Sequence, residues 1–190
     1  MIEKRRVFFG LTLSSRNSRI AHSSYSKLEP RLPNFRWVAQ ENYHVTLLFV
    51  GEIEDTKVSE LTDQLRTESF RAFTVIFGGV SRFPIRGPRV RVLHIPMIQG
   101  IDETERLAKL LRERTADLGI RFKSEKHFVP HLTIGRARGR RPIEIDDETE
   151  FHLNSVDLEF EERVASYTFF ESVVTPCGAK YVSLSMFPLV

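Results

Sequence analysis

The sequence contains one cysteine, Cys177, and this scarcity excludes two classes of structure. A single thiol cannot form an intramolecular disulfide, and it cannot build a zinc site from several cysteine ligands. The default interpretation of Cys177 is a structural thiol. We therefore expect a protein of the reducing cytoplasm.

Long apolar runs are absent as well. The apolar stretch that begins at Val7 ends within a few residues, whereas a helix that spans a membrane needs about 20. The alternation that follows is typical of a folded strand, so we expect neither a membrane segment nor a signal peptide. No pattern repeats with a period of about 20 to 50 residues, which excludes a solenoid.

The balance of charge is nearly even, with 28 basic and 25 acidic side chains in 190 residues. A net charge of +3 is too small to indicate a polyanionic partner by itself. The hydrophobic fraction of 41% and the charged fraction of 28% are typical of a globular protein. Because a chain of this length can bury one sizeable core, we expect residues 1–190 to form a single domain.

Hydrophobic periodicity predicts a mixture of helices and strands. One helix is expected at 101–118, where leucines recur at helical spacing and Gly119 follows as a stop signal. A second helix is expected to begin with Asp55 or Thr56 as its cap, and a third to cover 16–28. Strands are predicted at 7–13, 37–38, 43–50 with Gly51 as its end, 73–80, 89–97, 131–136, 151–158, 165–174 and 181–187.

One short pattern occurs twice, as His44-Val45-Thr46-Leu47 and as His131-Leu132-Thr133-Ile134. In a strand, residues two positions apart share a face, so each histidine lies beside its threonine while the apolar residues take the other face. If the two strands are neighbours, two imidazoles and two hydroxyls converge on one small volume. In a lone His-x-Thr tripeptide the histidine side chain most often has only a structural role, packed in the core or hydrogen-bonded. The occurrence of two such tripeptides, each in a predicted strand, indicates a function.

Such a group of side chains suits the opening of a cyclic phosphodiester. One group must remove a proton from the attacking water, and another must protonate the departing ribose oxygen. The ordinary pKa of histidine is about 6.5, so one ring can be neutral while the other is protonated near neutral pH. Threonine hydroxyls can donate hydrogen bonds to the phosphate oxygens as charge develops there. This chemistry requires no metal and no cofactor.

Zinc is the alternative interpretation of the paired histidines. Catalytic zinc sites usually have three protein ligands, and the sequence has no His-x-x-x-His or Cys-x-x-Cys spacing that would supply them. We therefore expect no metal.

Both motif regions resemble those of the two-histidine phosphoesterase superfamily. The first region comprises residues 36–38 and 41–47 with Phe49, Gly51 and Glu52, and the second comprises 128–136. Within that superfamily the best match is the RNA 2',3'-cyclic phosphodiesterase branch, also called 2'-5' RNA ligase. The similarity extends over essentially the whole chain, to the segments 7–9, 171–172, 178–181 and 187–189.

The resemblance implies a bilobal α+β fold, with two antiparallel β-sheets facing a central cleft and helices packed on the outside. It implies that His44 is the general acid for the leaving 3' oxygen, that His131 is the general base for water, and that Thr46 and Thr133 bind phosphate. The implied substrates are RNA with 2',3'-cyclic phosphate ends or small cyclic nucleotides, and the implied product is a 2'-phosphate. Ligation by the reverse reaction is a secondary activity of the family. We expect a monomer.

Other functions stay open at this point. The cleft could hold RNA ends without chemistry, as a binding module, or the enzyme could act on a cyclic nucleotide derivative or a linear 2'-5' linkage. The family also often has lysine where this chain has Leu48, which strict alternation places on the face of His44 and Thr46.

Several further residues are candidates for substrate binding. Arg136 matches a family arginine associated with phosphate, although strict alternation turns it away from the cleft unless a bulge reorients it. Phe9 and Tyr43 could stack on a base, with core packing as the alternative for Phe9. A basic loop could either be solvated or contact RNA phosphates, and it consists of Arg138, Arg140 and Arg141. No role is assigned to the remaining histidines, His22, His94, His127 and His152.

Overall fold

The computed structural model describes residues 3–25, 28–123, 127–139, 141–175 and 178–190. Cys177 and Arg140 lie outside these residues, so the predictions about them remain predictions. The helices are α1 (Ser15–Tyr25), α2 (Asp55–Arg66), α3 (Ile101–Asp117) and α4 (Asp147–Asn154). The strands are β1 (Lys4–Thr12), β2 (Phe35–Trp37), β3 (His44–Glu54), β4 (Phe73–Gly78), β5 (Ser81–Phe83), β6 (Arg89–Val90), β7 (Val92–Gln99), β8 (His131–Ala137), β9 (Ile143–Glu144), β10 (Glu159–Val164), β11 (Ser166–Thr175) and β12 (Gly178–Pro188).

The described part of the chain is built around one antiparallel sheet, whose strand order is β10-β4-β7-β8-β3-β1-β11-β12. β2 pairs with β8, β5 pairs with β7, and β6 and β9 form a separate two-stranded ribbon. The predicted α+β class is confirmed. The two halves of the sheet meet where Val45 of β3 pairs with Leu132 of β8. The two sheets that the resemblance implies are therefore joined into one sheet at this pair. That residues 1–190 form a single bilobal domain stays a prediction.

The apolar faces of the two motif strands form part of the core. Val45, Leu47, Leu132 and Ile134 are all buried, as alternation predicts. α3 packs against β3 and buries Leu107 of its apolar stripe. Burial of these side chains fixes the register of both strands, since a slip by one residue would move every apolar side chain to the other face. The motif residues on the opposite face are held in place by this packing.

The predicted strand at 151–158 is wrong, because the chain there forms helix α4. Asp146 is the N-cap residue, and its carboxylate accepts a hydrogen bond from the backbone N–H of Thr149 at 2.8 Å. Acidic residues in the first turn add a favourable interaction with the helix dipole. Phe151 is exposed on this helix, so it contributes no apolar alternation to a sheet.

Two boundaries also differ from expectation. β3 does not end at Gly51 but continues to Glu54, because its ladder with β1 extends as far as the pairing of Lys4 with Glu54. The N-cap residue of α2 is Glu54, without a side-chain capping bond, rather than Asp55 or Thr56. Asp55 instead forms an ion pair with Arg5 at 2.6 Å. None of the helices within the described ranges is long and apolar enough to cross a bilayer.

Candidate active site

The two His-x-Thr motifs meet at the junction of β3 and β8. The strands are antiparallel and Val45 lies opposite Leu132, so His44 is placed alongside Thr133, and Thr46 alongside His131. Thr46, His131 and Thr133 line one cavity of about 450 Å³, a volume within the usual range of ligand sites. Three of the four side chains predicted to converge thus line this cavity, and His44 adjoins it through Thr46, whose Oγ1 lies 3.1 Å from His44 Nε2.

The two histidines are held in the same way. His44 Nδ1 lies 2.8 Å from the carbonyl oxygen of Asn42, and His131 Nδ1 lies 2.7 Å from that of Val129. Since a carbonyl oxygen only accepts, each Nδ1 carries the proton and donates it. Each ring therefore keeps Nε2 as the nitrogen for chemistry, as in enzymes where a backbone bond fixes the tautomer. In His44 this Nε2 lies 3.1 Å from Thr46 Oγ1 and accepts from the hydroxyl.

Aromatic rings surround His44. The rings of Phe8 and Tyr181 each lie 4.9 Å from it, centroid to centroid. The neighbouring strand approaches closely at Gly10, where a Cβ would lie 3.1 Å from the Val45 carbonyl oxygen and 3.4 Å from His44 Cδ2. Burial lowers the pKa of His44 to about 4, and the positive charge of Arg136 and the nearby His131 act in the same direction, against the backbone hydrogen bond to Asn42. His44 is therefore neutral at pH 7.

His131 packs against a second imidazole. The rings of Phe83 and His94 lie 5.1 and 5.0 Å from the His131 ring, and both contact it edge to face. His94 is only 3% exposed and stacks on Phe83 at 4.1 Å. Burial, with a smaller contribution from His131, lowers the pKa of His94 to about 3. Its Nδ1 is buried without a hydrogen-bond partner among the residues described.

A bulge in β8 brings Arg136 to the cavity. Leu93 of β7 lies opposite Gly135 while His94 lies opposite Thr133, so Ile134 is an extra residue that reverses the alternation. The guanidinium Nη2 lies 3.4 Å from Thr133 Oγ1, and Arg136 lines the same cavity as His131. Desolvation lowers the pKa of Arg136, although an arginine remains charged in a protein. The bulge that Arg136 needs in order to face the cleft, according to the sequence analysis, is therefore present.

A similar bulge in β3 changes which residue follows Thr46 on the exposed face. Phe9 lies opposite Leu48 and Gly10 opposite Thr46, which leaves Leu47 unpaired in the ladder. Leu48 is 5% exposed, whereas Phe49 is 39% exposed. The expectation that Leu48 shares the exposed face of Thr46 is therefore wrong, although both Leu48 and Phe49 line the cavity.

Two residues that the sequence proposed for base stacking are buried in the core. Phe9 is 0% exposed and stacks on Phe169 at 4.2 Å. Tyr43 is 3% exposed, its hydroxyl is hydrogen-bonded to that of Tyr25, and burial raises its pKa. Neither ring presents a face to a ligand, so these two predictions are wrong. Phe8, one residue before Phe9, is the aromatic residue of β1 that turns towards His44.

Several cavity residues were not found from the sequence. They are Phe49, Phe83, Arg112, Lys123, His127 and Phe128. Phe49 and Phe128 belong to the motif regions, and this membership is a sequence signal for them. Arg112 has no such signal, because it lies in the middle of α3.

The side chain of Arg138, in the basic loop, is hydrogen-bonded to β2, because its Nε donates to the carbonyl oxygen of Phe35 at 3.2 Å. The part of the chain that can be described contains no cluster of three or more His, Cys, Asp or Glu side chains suited to a metal ion.

Comparison with known proteins identifies the family. The profile described as LigT like Phosphoesterase matches residues 21–94. The chain is 32% identical over 181 residues to an RNA 2',3'-cyclic phosphodiesterase of Thermotoga maritima, covering 93% of this chain and 91% of that protein. It is 33% identical over 151 residues to a protein of the same name from Archaeoglobus fulgidus, covering 79% and 81%.

Solved structures have the same fold. A crystal structure of E. coli LigT complexed with 3'-AMP covers 99% of each chain with a TM-score of 0.78 at 24% identity. The structure of TT0787 from Thermus thermophilus covers 97% of each chain with a TM-score of 0.76 at 23% identity. Together with the sequence relatives, these matches confirm the resemblance that the two motifs indicate. The chain belongs to the LigT-like phosphoesterase family.

Proposed function

We propose that this enzyme hydrolyses 2',3'-cyclic phosphates on RNA ends to 2'-phosphates, with His44 and His131 as its acid and base. One observation carries the proposal. The two histidines lie at one junction of the sheet, and a backbone carbonyl fixes the proton on Nδ1 of each ring, so Nε2 is the atom through which either ring would transfer a proton. Relatives named RNA 2',3'-cyclic phosphodiesterase support the choice of substrate.

In the proposed reaction His131 acts as general base. Its Nε2 removes a proton from water as the water oxygen bonds to phosphorus. The bond from phosphorus to the 3' oxygen breaks, and His44 Nε2 donates a proton to that oxygen. The phosphate remains on the 2' oxygen. Reversible 2'-5' ligation would use the same two nitrogens, by microscopic reversibility.

His44 needs a proton before it can act as the acid. Its pKa of about 4 leaves it neutral at pH 7. A bound phosphate anion favours the charged imidazole and offsets the positive charge of Arg136, so the pKa of His44 rises when substrate binds. We infer that His44 takes up its proton together with the substrate.

The remaining polar groups of the cavity suit the phosphate oxygens. Thr46 and Thr133 present hydroxyl donors beside the two imidazoles. Arg136 presents a planar fork of donors that matches two oxygens of a phosphate. The threonine hydroxyls would stabilise the charge that develops on the equatorial oxygens, and Arg136 would hold the phosphate of the bound substrate.

The test is to identify the product. Purified protein is offered cyclic mononucleotides and RNAs with 2',3'-cyclic phosphate ends, and products are compared by mass and by treatment with a phosphatase specific for 3'-phosphates. We expect addition of one water and a monophosphate that this phosphatase leaves intact. A 3'-phosphate would contradict the assignment of the leaving oxygen, and salt-sensitive RNA binding without turnover at any pH would indicate a binding module.

Removal of metal ions is a separate test. Treatment with EDTA should leave the rate of hydrolysis unchanged, whereas a loss of activity that zinc restores would favour a metallohydrolase.

A further inference from the structure

The cavity contains an arginine that the chemistry of one cyclic phosphate does not use. Arg112 of α3 is half-buried in the cavity wall, and its guanidinium carbon lies 6.0 Å from the centroid of the Phe128 ring. Within the described ranges no carboxylate forms an ion pair with Arg112. The same helix provides a contrast, because Arg106 pairs with Glu103 at 3.0 Å and Arg114 pairs with Glu68. Arg112 is thus a positioned cation without a carboxylate partner among these residues.

Among the described residues, the charged groups that line the cavity are all basic. Arg112, Lys123 and Arg136 are basic, and no acidic side chain of the described chain lines it. A concave site with charges of one sign concentrates the electric field and attracts ions of the other sign. Arg136 with the two threonines is sufficient for the reacting phosphate. The additional positive charge at Arg112 and Lys123 suits a second phosphate.

Aromatic rings accompany this additional charge. Phe49 lies on the cavity wall three positions beyond Thr46 along β3, a distance of roughly 10 Å for an extended strand. Its ring is partly exposed and is covered on one side by the guanidinium of Arg6, at 5.0 Å. Stacking on an aromatic ring and contacts to backbone phosphates are the two ways in which proteins hold single-stranded RNA.

We propose that Arg112, positioned by Phe128, binds the phosphate that precedes the cyclic end of an RNA chain, and that Phe49 stacks on a base beside it. The inference rests on the proposed function and names its substrate class. A cyclic mononucleotide has a single phosphate, so it fills the reaction site and leaves Arg112 without an anion. The enzyme therefore prefers a cyclic-phosphate-ended oligonucleotide over a cyclic mononucleotide.

The experiment compares kcat/KM for a short RNA ending in a 2',3'-cyclic phosphate with kcat/KM for the corresponding cyclic mononucleotide. The proteins are the wild type, Arg112→Gln and Arg112→Ala, with Arg106→Ala as a control on the same helix. We expect the preference for RNA to fall about ten-fold in both Arg112 variants, the effect of losing one charge-assisted contact. The preference should stay unchanged in Arg106→Ala. The salt dependence of the reaction with RNA should also be weaker without Arg112.

Other outcomes would overturn the inference. Equal losses on both substrates would place Arg112 at the reacting phosphate, and a wild type without preference for RNA would leave no second subsite to explain. If the wild type hydrolyses neither substrate, the proposed function fails, and binding then decides the subsite separately. In that case the dissociation constant of a 2'-phosphate-ended RNA is compared between wild type and Arg112→Gln, and equal values contradict the subsite. Thermal unfolding of each variant identifies losses that arise from misfolding.

Discussion

Val45 and Leu132 lie directly opposite each other, and this pairing joins the two halves of the sheet. Both side chains are buried, so hydrophobic packing holds the two strands together at this point. The histidines and threonines beside them occupy the other face. The site thus depends on an apolar contact between residues that are far apart in the chain, as well as on the polar residues that carry the chemistry.

The threonine hydroxyls should contribute through their oxygen atoms. We expect Thr46→Ala and Thr133→Ala each to lower kcat on a cyclic nucleotide by about 10²-fold to 10³-fold, the usual effect of removing one donor to developing charge. Thr46→Ser and Thr133→Ser keep the hydroxyl and should retain most of the activity. Steady-state kinetics of the four variants provide the measurement. Equal losses in the serine and alanine variants would indicate that the methyl group, through packing, is what matters.

Arg136 should act mainly in binding. Lysine keeps the charge but cannot donate two parallel hydrogen bonds, so Arg136→Lys should raise KM for a cyclic nucleotide about ten-fold, and Arg136→Ala should raise it further. Arg138→Ala is the matched control, because Arg138 is bonded to the Phe35 carbonyl oxygen. Unchanged kinetics in Arg136→Ala would show that reaching the cavity is not enough for a role in binding.

The proton affinity of His44 should depend on phosphate. Burial and Arg136 lower its pKa to about 4, and a bound anion should raise it because the charged ring is then favoured. NMR titration of the His44 ring protons, with and without a bound 2'-nucleotide, measures both values. We expect an increase of at least one pH unit. An unchanged pKa would exclude His44 as the acid at neutral pH and would favour the reverse assignment of roles.

Acid should destabilise the protein through His94. The folded-state pKa is about 3 and the unfolded-state pKa is about 6.5. As the pH falls below about 6.5 the unfolded chain therefore binds a proton that the folded state does not, and stability decreases until the pH reaches the folded-state value. From pH 7 to pH 4 this group should cost about 3 kcal/mol of unfolding free energy.

His94→Phe removes this titration and retains a ring beside Phe83. Denaturant unfolding at pH 7 and pH 4 should show a smaller loss of stability in the variant than in the wild type. The carboxylates titrate in both proteins, so the difference between them isolates His94. The same pH dependence in both proteins would contradict a buried, neutral imidazole at this position.

The sequence predicts the motif residues well because the period of a strand determines which side chains share a face. Strand period alone could not place Arg136, which the resemblance indicated, or Phe49, which it did not, at the cavity, since both positions depend on bulges at Ile134 and Leu47. A bulge is a property of the register between two strands, and a single strand's sequence does not contain it. The wrong choice between the adjacent residues Phe8 and Phe9 has a related cause, because both are apolar and buried and only the neighbouring strands show which one turns to the site.

Helix α4 illustrates a different failure. Its local signals conflict, since the segment from Phe151 alternates like a strand while Asp146 and Thr149 form a cap. Capping and the acidic first turn determine the structure there, and they lie before residue 151, where the alternating pattern begins. Arg112 was missed because a basic residue on a helix is usually exposed to solvent, and only the packing of α3 against β3 places it at the cavity.

The most direct test of the account is the rate at which His44→Ala and His131→Ala hydrolyse a 2',3'-cyclic nucleotide. His152→Ala provides the control, because His152 lies on α4 and does not line the cavity. The two-histidine account predicts that each active-site variant folds normally and loses about 10²-fold to 10⁴-fold in kcat, as is typical of a lost proton-transfer group, while the control retains the wild-type rate. A correctly folded His44→Ala or His131→Ala with wild-type activity would contradict it.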